Sequence, residues 1–245
     1  MSTSKIEWTD ATWNPVTGCT KTSSGCAHCY AETMTKRLKA MGTAKYSNGF
    51  QVTVHEDALN EPRKWRNPRS IFVCSMSDLF HQDVPFEFID RVMRVIKETP
   101  QHRYQLLTKR AERMTKYFQV REVPQNVWLG VTVEVQSSKV RIESLRSIQN
   151  APIKFLSCEP LLEDLGELDL TGIDWIIVGG ESGIQARPMK KEWVMNIKSQ
   201  CEIADKVFFF KQWGTWGSDG VRRDKKKNGK ILNGEICQAI PDVIL

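Results

Sequence analysis

Tyr104-Gln-Leu-Leu-Thr-Lys-Arg-Ala-Glu-Arg-Met-Thr-Lys-Tyr-Phe118, followed by Val127-Trp-Leu-Gly-Val131, is the stretch that decides the fold. It reads as strand (104–107), helix (109–118) and strand again (127–131). The same rhythm continues outward in both directions. Toward the C-terminus come a helix over 136–148, the strand Ile153-Lys-Phe-Leu-Ser157 with no clear helix after it, and the buried strand Trp175-Ile-Ile-Val-Gly179. A helix over 190–203 follows, with Trp193, Ile197 and Cys201 on its face, and Val207-Phe-Phe-Phe210 is the last strand. Toward the N-terminus, Pro85 opens a helix with Phe88, Ile89, Val92 and Ile96 on one face, preceded by the strand Ile71-Phe-Val-Cys-Ser75. Before that come a short helix over 56–65, a strand over Phe50–His55 and a helical stripe over 26–41 (Ala27, Tyr30, Met34, Leu38, Met41). Residues 5–18 read as a short strand leading into a Pro/Gly loop.

Strands that alternate with helices pair in parallel through crossovers. The expected fold class is α/β, a full or partial (β/α) barrel of six to eight mostly parallel strands. An open doubly wound sheet is the alternative, but no Gly-rich dinucleotide fingerprint follows the first strand. The domain reading is a barrel over 1–214 and a basic C-terminal extension or lid over 215–245.

Polar residues follow the strands regularly: Asp78, then Thr108-Lys109-Arg110, Glu134, Glu159, Glu181-Ser182 and Lys211-Gln212. In a parallel barrel all of these face one rim, where active sites are built. Any single strand end meets water and becomes polar. Six carrying charged or amide groups favour a site.

Upstream of all this lies Cys19-Thr-Lys-Thr-Ser-Ser-Gly-Cys26-Ala-His-Cys29-Tyr30, a C-x6-C-x2-C triad. Three close thiolates suit a metal or an iron–sulfur cluster. A closed zinc site needs a fourth ligand, either His28 or a remote residue. Three ligands on a four-iron cluster leave one iron open for a substrate or cofactor.

The triad, with the His28 ring just before its last cysteine, resembles that of the radical S-adenosylmethionine (SAM) enzymes, whose usual spacing is C-x3-C-x2-C. The longer first gap, with Trp13-Asn-Pro-Val-Thr-Gly-Cys19, Gly25-Cys26-Ala-His-Cys29-Tyr-Ala-Glu32, Ser75-Met-Ser-Asp78, Leu107-Thr-Lys-Arg110, Ser157-Cys-Glu-Pro160, Gly179-Gly-Glu-Ser182 and Phe210-Lys-Gln-Trp-Gly214, is similar to a phage-associated radical SAM family. The resemblance implies a [4Fe–4S] cluster on Cys19, Cys26 and Cys29, and SAM on the open iron. His28 and Tyr30 would then lie near the cofactor, His28 beside its adenine. Gly179-Gly180-Glu181 resembles the segment that grips the SAM amino group, although it comes late in the chain. Asp78 and Glu159 are alternative carboxylates for that group or for the ribose. Cys158 is a candidate hydrogen donor; for it and Cys74, packing is the plainer reading.

The net charge of +6 mildly favours a polyanionic partner. Basic residues concentrate late: Arg222, Arg223, Lys225, Lys226, Lys227 and Lys230 put six cations in nine residues, against Asp224 alone. This is either a solvated hairpin or a phosphate-contacting surface with Trp213 or Trp216 stacking on a base. Lys109, Arg110, Lys211, Trp216, Arg222, Arg223, Lys225, Lys226 and Lys227 form the expected nucleic-acid face. Seven cysteines in no disulfide-like pattern, with no signal peptide, point to a reducing cytoplasm, that of a bacterial host if the chain is phage-encoded. No apolar run approaches 18 residues, so no membrane span is expected.

Three functional readings follow. The first is a radical SAM enzyme acting on a modified DNA base, for example isomerising an amino-acid-modified thymidine, with flavodoxin or ferredoxin as electron donor. The second is a non-catalytic zinc or iron–sulfur protein that binds nucleic acid. The third is a radical SAM DNA repair lyase. A tRNA or peptide substrate stays open.

Overall fold

The computed structural model describes Ser4 and residues 6–242. Lys5 and the outermost positions of the two expected segments lie outside the described residues. The chain begins with β1 (Ala11–Trp13) and β2 (Val16–Thr17), and after the cysteine loop enters α1 (Tyr30–Ala40). The next elements are β3 (Thr53–Val54), β4 (Ser70–Val73), α2 (Phe86–Glu98), β5 (Arg103–Thr108) and α3 (Ala111–Phe118). The second half runs β6 (Val127–Thr132), α4 (Val140–Ser147), β7 (Ile153–Cys158), β8 (Trp175–Gly179), α5 (Lys191–Ile203) and β9 (Val207–Gln212). A short α6 (Lys225–Asn228) and the hairpin β10 (Ile231–Leu232) and β11 (Glu235–Ile236) end it.

Seven strands form one sheet in the order β1-β4-β5-β6-β7-β8-β9, every pair parallel. The sheet curls into a half-barrel and β1 does not close on β9, so the barrel is partial. The central strand β6 is buried at every position because both faces are covered.

Alternate residues along each strand serve two apolar layers. One face, with Val73, Leu106, Leu129, Leu156 and Val178, packs on the outer helices, for example on Phe88, Ile89, Val92 and Ile96 of α2. The concave face carries an aromatic plug of Trp8, Trp128, Phe155, Trp175 and Phe209, with Phe72 against it. Trp8 and Phe72 stack with ring centroids 4.8 Å apart, and Trp128 meets Trp175 edge-on at 5.8 Å. Gly130 is a glycine because a Cβ there would stand 2.4 Å from the Phe155 ring. With the amino-terminal part of the concavity filled, space for a ligand is left at the carboxyl ends of the strands.

Three local expectations shift. The helix expected from residue 26 starts at Tyr30, since Cys29 is extended (φ −58°, ψ 121°) and separates α1 from the 3₁₀ turn Ser24–Cys26. The helix expected over 56–65 is a run of turns with one 3₁₀ turn, Pro62–Lys64, because Pro62 has no N–H to give the Ala58 carbonyl; that carbonyl accepts instead from the Glu61 N–H (3.2 Å) and the Trp13 indole N–H (2.8 Å). The strand expected over Phe50–His55 reduces to β3, which pairs antiparallel with β2. Between β7 and β8 there is no helix; Leu161, Leu165, Leu168, Leu170 and Ile173 bury a loop in its place.

Residues after Gly214 fold back on the sheet. Phe209 bridges Gln238 antiparallel, the Phe210 N–H donates to the Cys237 carbonyl (2.6 Å), and Leu232 joins the core. The segment so covers the edge of β9, which would otherwise be open to pairing with another chain. No helix among the described residues is long and apolar enough to cross a membrane.

Candidate active site

The cysteine loop hangs from the carboxyl ends of β1 and β4. Gly18 bridges Ser77 in parallel, and its N–H donates to the Met76 carbonyl (3.1 Å). Its φ of +79° and the Gln51 carbonyl, which a Cβ would meet at 2.1 Å, both demand glycine. Cys19, Cys26 and Cys29 are free and half-buried.

Glu134, at the end of β6, holds the loop from below. It is fully buried. It accepts from the Ser23 hydroxyl, from Lys109 Nζ (3.2 Å) and from Arg141 Nη1 (2.7 Å). Burial pushes its carboxyl up, but Lys109, Ser23 and Arg141 outweigh it, and the net shift is downward, so the group is an anion. Cys26 behaves likewise: burial opposes ionisation, while donors from Thr22 and Ser23 and the charge of Lys109 lower its thiol overall.

Asp78 organises the other side. Its Oδ1 accepts from Thr108 Oγ1 (2.7 Å) and the Phe80 N–H (3.0 Å), its Oδ2 from the Lys109 N–H (3.1 Å) and Arg110 Nη1 (2.9 Å). Arg110 also donates through Nη2 to the Thr20 carbonyl and hydroxyl (both 3.0 Å), and its Nη1 lies 3.5 Å from Cys19 Sγ. Burial raises the Cys19 thiol despite that cation. Thr20 is gripped a second time by His81 Nε2 (2.8 Å). Because His81 Nδ1 accepts the Asp83 N–H (3.1 Å), Nε2 carries the proton, and burial holds this ring neutral.

The third wall comes from β8 and β9. Glu181 is locked by Arg187, which donates from its backbone N–H (2.8 Å), Nε (2.9 Å) and Nη2 (2.7 Å). Arg187 Nη1 then reaches the Ser24 carbonyl of the cysteine loop (3.0 Å). Burial works against the Glu181 anion, yet Arg187 and the nearby His28 hold its carboxyl down. Glu159 pairs with Lys211 (2.8 Å) and accepts from Ser157 Oγ (3.2 Å). Gly179 and Gly180 make room for neighbours: a Cβ on Gly179 would meet the Glu159 carboxylate at 2.8 Å, and one on Gly180 the Trp213 carbonyl at 1.9 Å. Tyr30 projects into solvent from the first turn of α1.

Residues 3–241 match the family described as protein of unknown function (DUF5131). The chain belongs to that family. No curated protein matches. Two similar solved structures are spore photoproduct lyase complexed with dinucleoside spore photoproduct and a single-residue variant with the same compound. Each matches at a TM-score of 0.50 and 14% identity, covering 81% of this chain and 62% of that one. Another variant, with bound AdoMet and the same compound, matches at 0.49 and 14%. The DUF5131 chain thus spans less than two thirds of these neighbours' length. At such identity the likeness is one of fold, the curled partial barrel of the radical SAM type.

The structure gathers Cys19, Cys26, Asp78, Lys109, Arg110 and Glu134 into one contiguous cluster of contacts, with His28, Glu181 and Arg187 adjoining. It turns Lys109 and Arg110 inward onto the cysteine loop and away from an outer phosphate-binding face. Cys158 sits in the helix-side core, with its thiol pushed up by burial, and faces away from the mouth, which fits packing and not hydrogen donation. Ser23, Thr20, His81, Arg141 and Arg187 belong to the site and carry no local motif. Arg187, six residues after Glu181, is the one whose spacing offers a signal.

Among the described residues no group of three His, Cys, Asp or Glu side chains could hold a single metal ion. A four-iron cluster asks for something different, one thiolate per iron on separate corners. Three free, half-buried thiols on one loop beside Lys109 and Arg110 fit that donor set, since thiolates and an anionic cluster need compensating cations.

Proposed function

We propose that this protein is a radical SAM enzyme whose substrate is a nucleoside in DNA. The observation that carries the reading is the anchored three-thiol loop at the carboxyl end of a parallel half-barrel. Cys19, Cys26 and Cys29 would hold the [4Fe–4S] cluster, and His28, Tyr30, Asp78, Glu159, Gly179, Gly180 and Glu181 are the candidates around SAM. When bound, the pair supplies a 5′-deoxyadenosyl radical by reductive cleavage of SAM.

The chain's own residues do the rest. Glu134 and Arg187 fix the loop from two sides, and Asp78 through Arg110 from a third. The aromatic plug keeps the amino-terminal part of the barrel dry. Glu159 and Lys211 face each other at the mouth as an ion pair that can open toward polar groups of a substrate. Gly183 and Thr215 join the loops after β8 and β9 (Gly183 N–H to Thr215 Oγ1, 2.9 Å), and Asn228 at the end of α6 donates to the Gly214 and Thr215 carbonyls. Lys225, Lys226 and Lys227 are so placed on the rim, and all three are exposed. The Trp216 indole N–H donates to the Ala186 carbonyl (2.6 Å), which leaves its ring half-exposed beside them. A base within a duplex must leave the stack to enter this mouth.

Two outcomes compete for the reaction. Isomerisation of an amino-acid-modified thymidine follows from the phage-type resemblance. The DNA repair lyase reading is favoured by the dinucleoside spore photoproduct bound in the structural neighbours. Anaerobic reconstitution with iron and sulfide tests the common core. The expected result is a brown four-iron chromophore and 5′-deoxyadenosine from SAM under reduction, both lost in Cys19→Ala. Zinc uptake without SAM cleavage would replace the reading with a non-catalytic nucleic-acid-binding protein.

A further inference from the structure

Arg110 stands out among the cations at the mouth because its guanidinium reaches a cysteine sulfur. Nη1 is shared between the Asp78 carboxylate at 2.9 Å and Cys19 Sγ at 3.5 Å. Nη2 is held by both oxygens of Thr20. Thr20 cannot drift, since His81, itself buried, donates to the same hydroxyl. The side chain is 13% exposed, so water screens it little. A planar guanidinium held at four points keeps its edge against the sulfur, which a flexible ammonium would not do.

The other cysteines are served differently. Cys26 has hydroxyls nearby, Thr22 Oγ1 at 3.9 Å and Ser23 Oγ at 3.7 Å, and its nearest cation, Lys109, is committed to Glu134. The charged donor therefore falls on Cys19 alone of these two.

We infer that Arg110, through its contact with Cys19 Sγ, is a positioning residue that raises the reduction potential of the cluster this loop holds. The inference rests on the functional reading above. Reduction adds negative charge to a cluster and its thiolates. A fixed positive donor on one sulfur stabilises the reduced form more than the oxidised form. Asp78 opposes this: its carboxylate partly cancels the Arg110 charge as seen from the sulfur. The pair therefore makes two predictions of opposite sign. Removing the cation should make reduction harder, and removing the anion should make it easier.

The test is potentiometry followed by electron paramagnetic resonance on anaerobically reconstituted full-length protein. The variants are Arg110→Gln, Arg110→Lys and Asp78→Asn, with Arg91→Gln on the outer helix α2 as a charge control. Expected are a more negative midpoint for Arg110→Gln, an intermediate one for Arg110→Lys and a more positive one for Asp78→Asn, with Arg91→Gln unchanged. If Arg110→Gln takes up no cluster, the Asp78→Asn and Arg110→Lys shifts decide. A merely structural role would leave those midpoints at the wild-type value, and that result overturns the inference. Failure of the unaltered protein to take up a four-iron cluster is a separate outcome that removes the functional reading and this inference together.

Discussion

Glu134 lies directly against Gly25: a Cβ on residue 25 would stand 2.8 Å from the Glu134 carboxylate oxygen. A fully buried anion just beyond β6 thus sets the height of a loop more than a hundred residues earlier in the chain. Glu134→Gln leaves Lys109 and Arg141 without their shared charge. Breaking a buried pair costs about 3 kcal/mol. Chemical denaturation of the metal-free protein should show a loss of that order. Cluster uptake after reconstitution should fall with it. A loss below about 0.5 kcal/mol, as for exposed ion pairs, would mean that Glu134 does not hold the loop.

Acid should weaken the fold in a definite window. Burial lowers His55, His81 and His102 below the ordinary histidine value, so the folded state keeps these rings neutral. Their contribution is present above the unfolded pKa of about 6.5. It is lost as pH falls toward the folded values, because the unfolded chain then binds more protons. Glu134 and Glu181, also lowered, add a second loss below about pH 4.5 in the same direction. Urea midpoints measured from pH 8 to pH 4 should fall steadily below pH 6.5. His102→Gln should reduce the first part of that slope, since His102 is fully buried with Nε2 on the Trp65 carbonyl (3.1 Å). A flat profile between pH 7 and pH 5 would contradict the neutral rings.

How much of this was legible beforehand depends on the range of the interactions. The strands were, because Val127–Thr132 and Trp175–Gly179 are continuous apolar runs whose local chemistry matches their place in the sheet. The end of the barrel bearing the polar residues was legible from strand order alone. The expectation of a helix over 56–65 fails on a local signal, since Pro62 has no N–H for the Ala58 carbonyl and the segment closes as turns. Arg187 and Ser24 are separated by 163 residues and Arg110 and Cys19 by 91, so no spacing rule reaches either pair. Lys109 and Arg110 read as a basic surface patch because a sequence shows their charge and not the buried anions that consume it.

The aromatic plug makes its own prediction. Gly130→Ala forces a methyl to within 2.4 Å of the Phe155 ring, which is itself buried against Trp8 and Trp175. Overpacking of this kind costs about 1–3 kcal/mol. The variant should unfold at lower denaturant with an unchanged denaturant slope. Phe155→Leu in the same background should restore part of the loss by vacating the ring's space. If Gly130→Ala alone were as stable as the wild type, the plug would not be packed as described.

The exposed lysines of α6 distinguish a nucleic-acid rim from a solvated edge. Arg223 is committed to Asp219 through two bonds (2.8 and 2.6 Å), and Arg222 donates to the Ile184 carbonyl, so both are largely spent on shaping the loop. Lys225, Lys226 and Lys227 are exposed and are the cations a phosphate would meet. Each phosphate neutralised on duplex DNA contributes about −0.9 to the slope of log affinity against log salt. Replacing the three lysines with Gln should therefore flatten that slope by about 2 to 3 and weaken binding at low salt. SAM cleavage without substrate should persist, because the cysteine loop contacts none of these side chains. Fluorescence anisotropy over a salt series reads the slope directly. An unchanged slope and affinity would make α6 a solvated edge and return the substrate to a small molecule or a peptide.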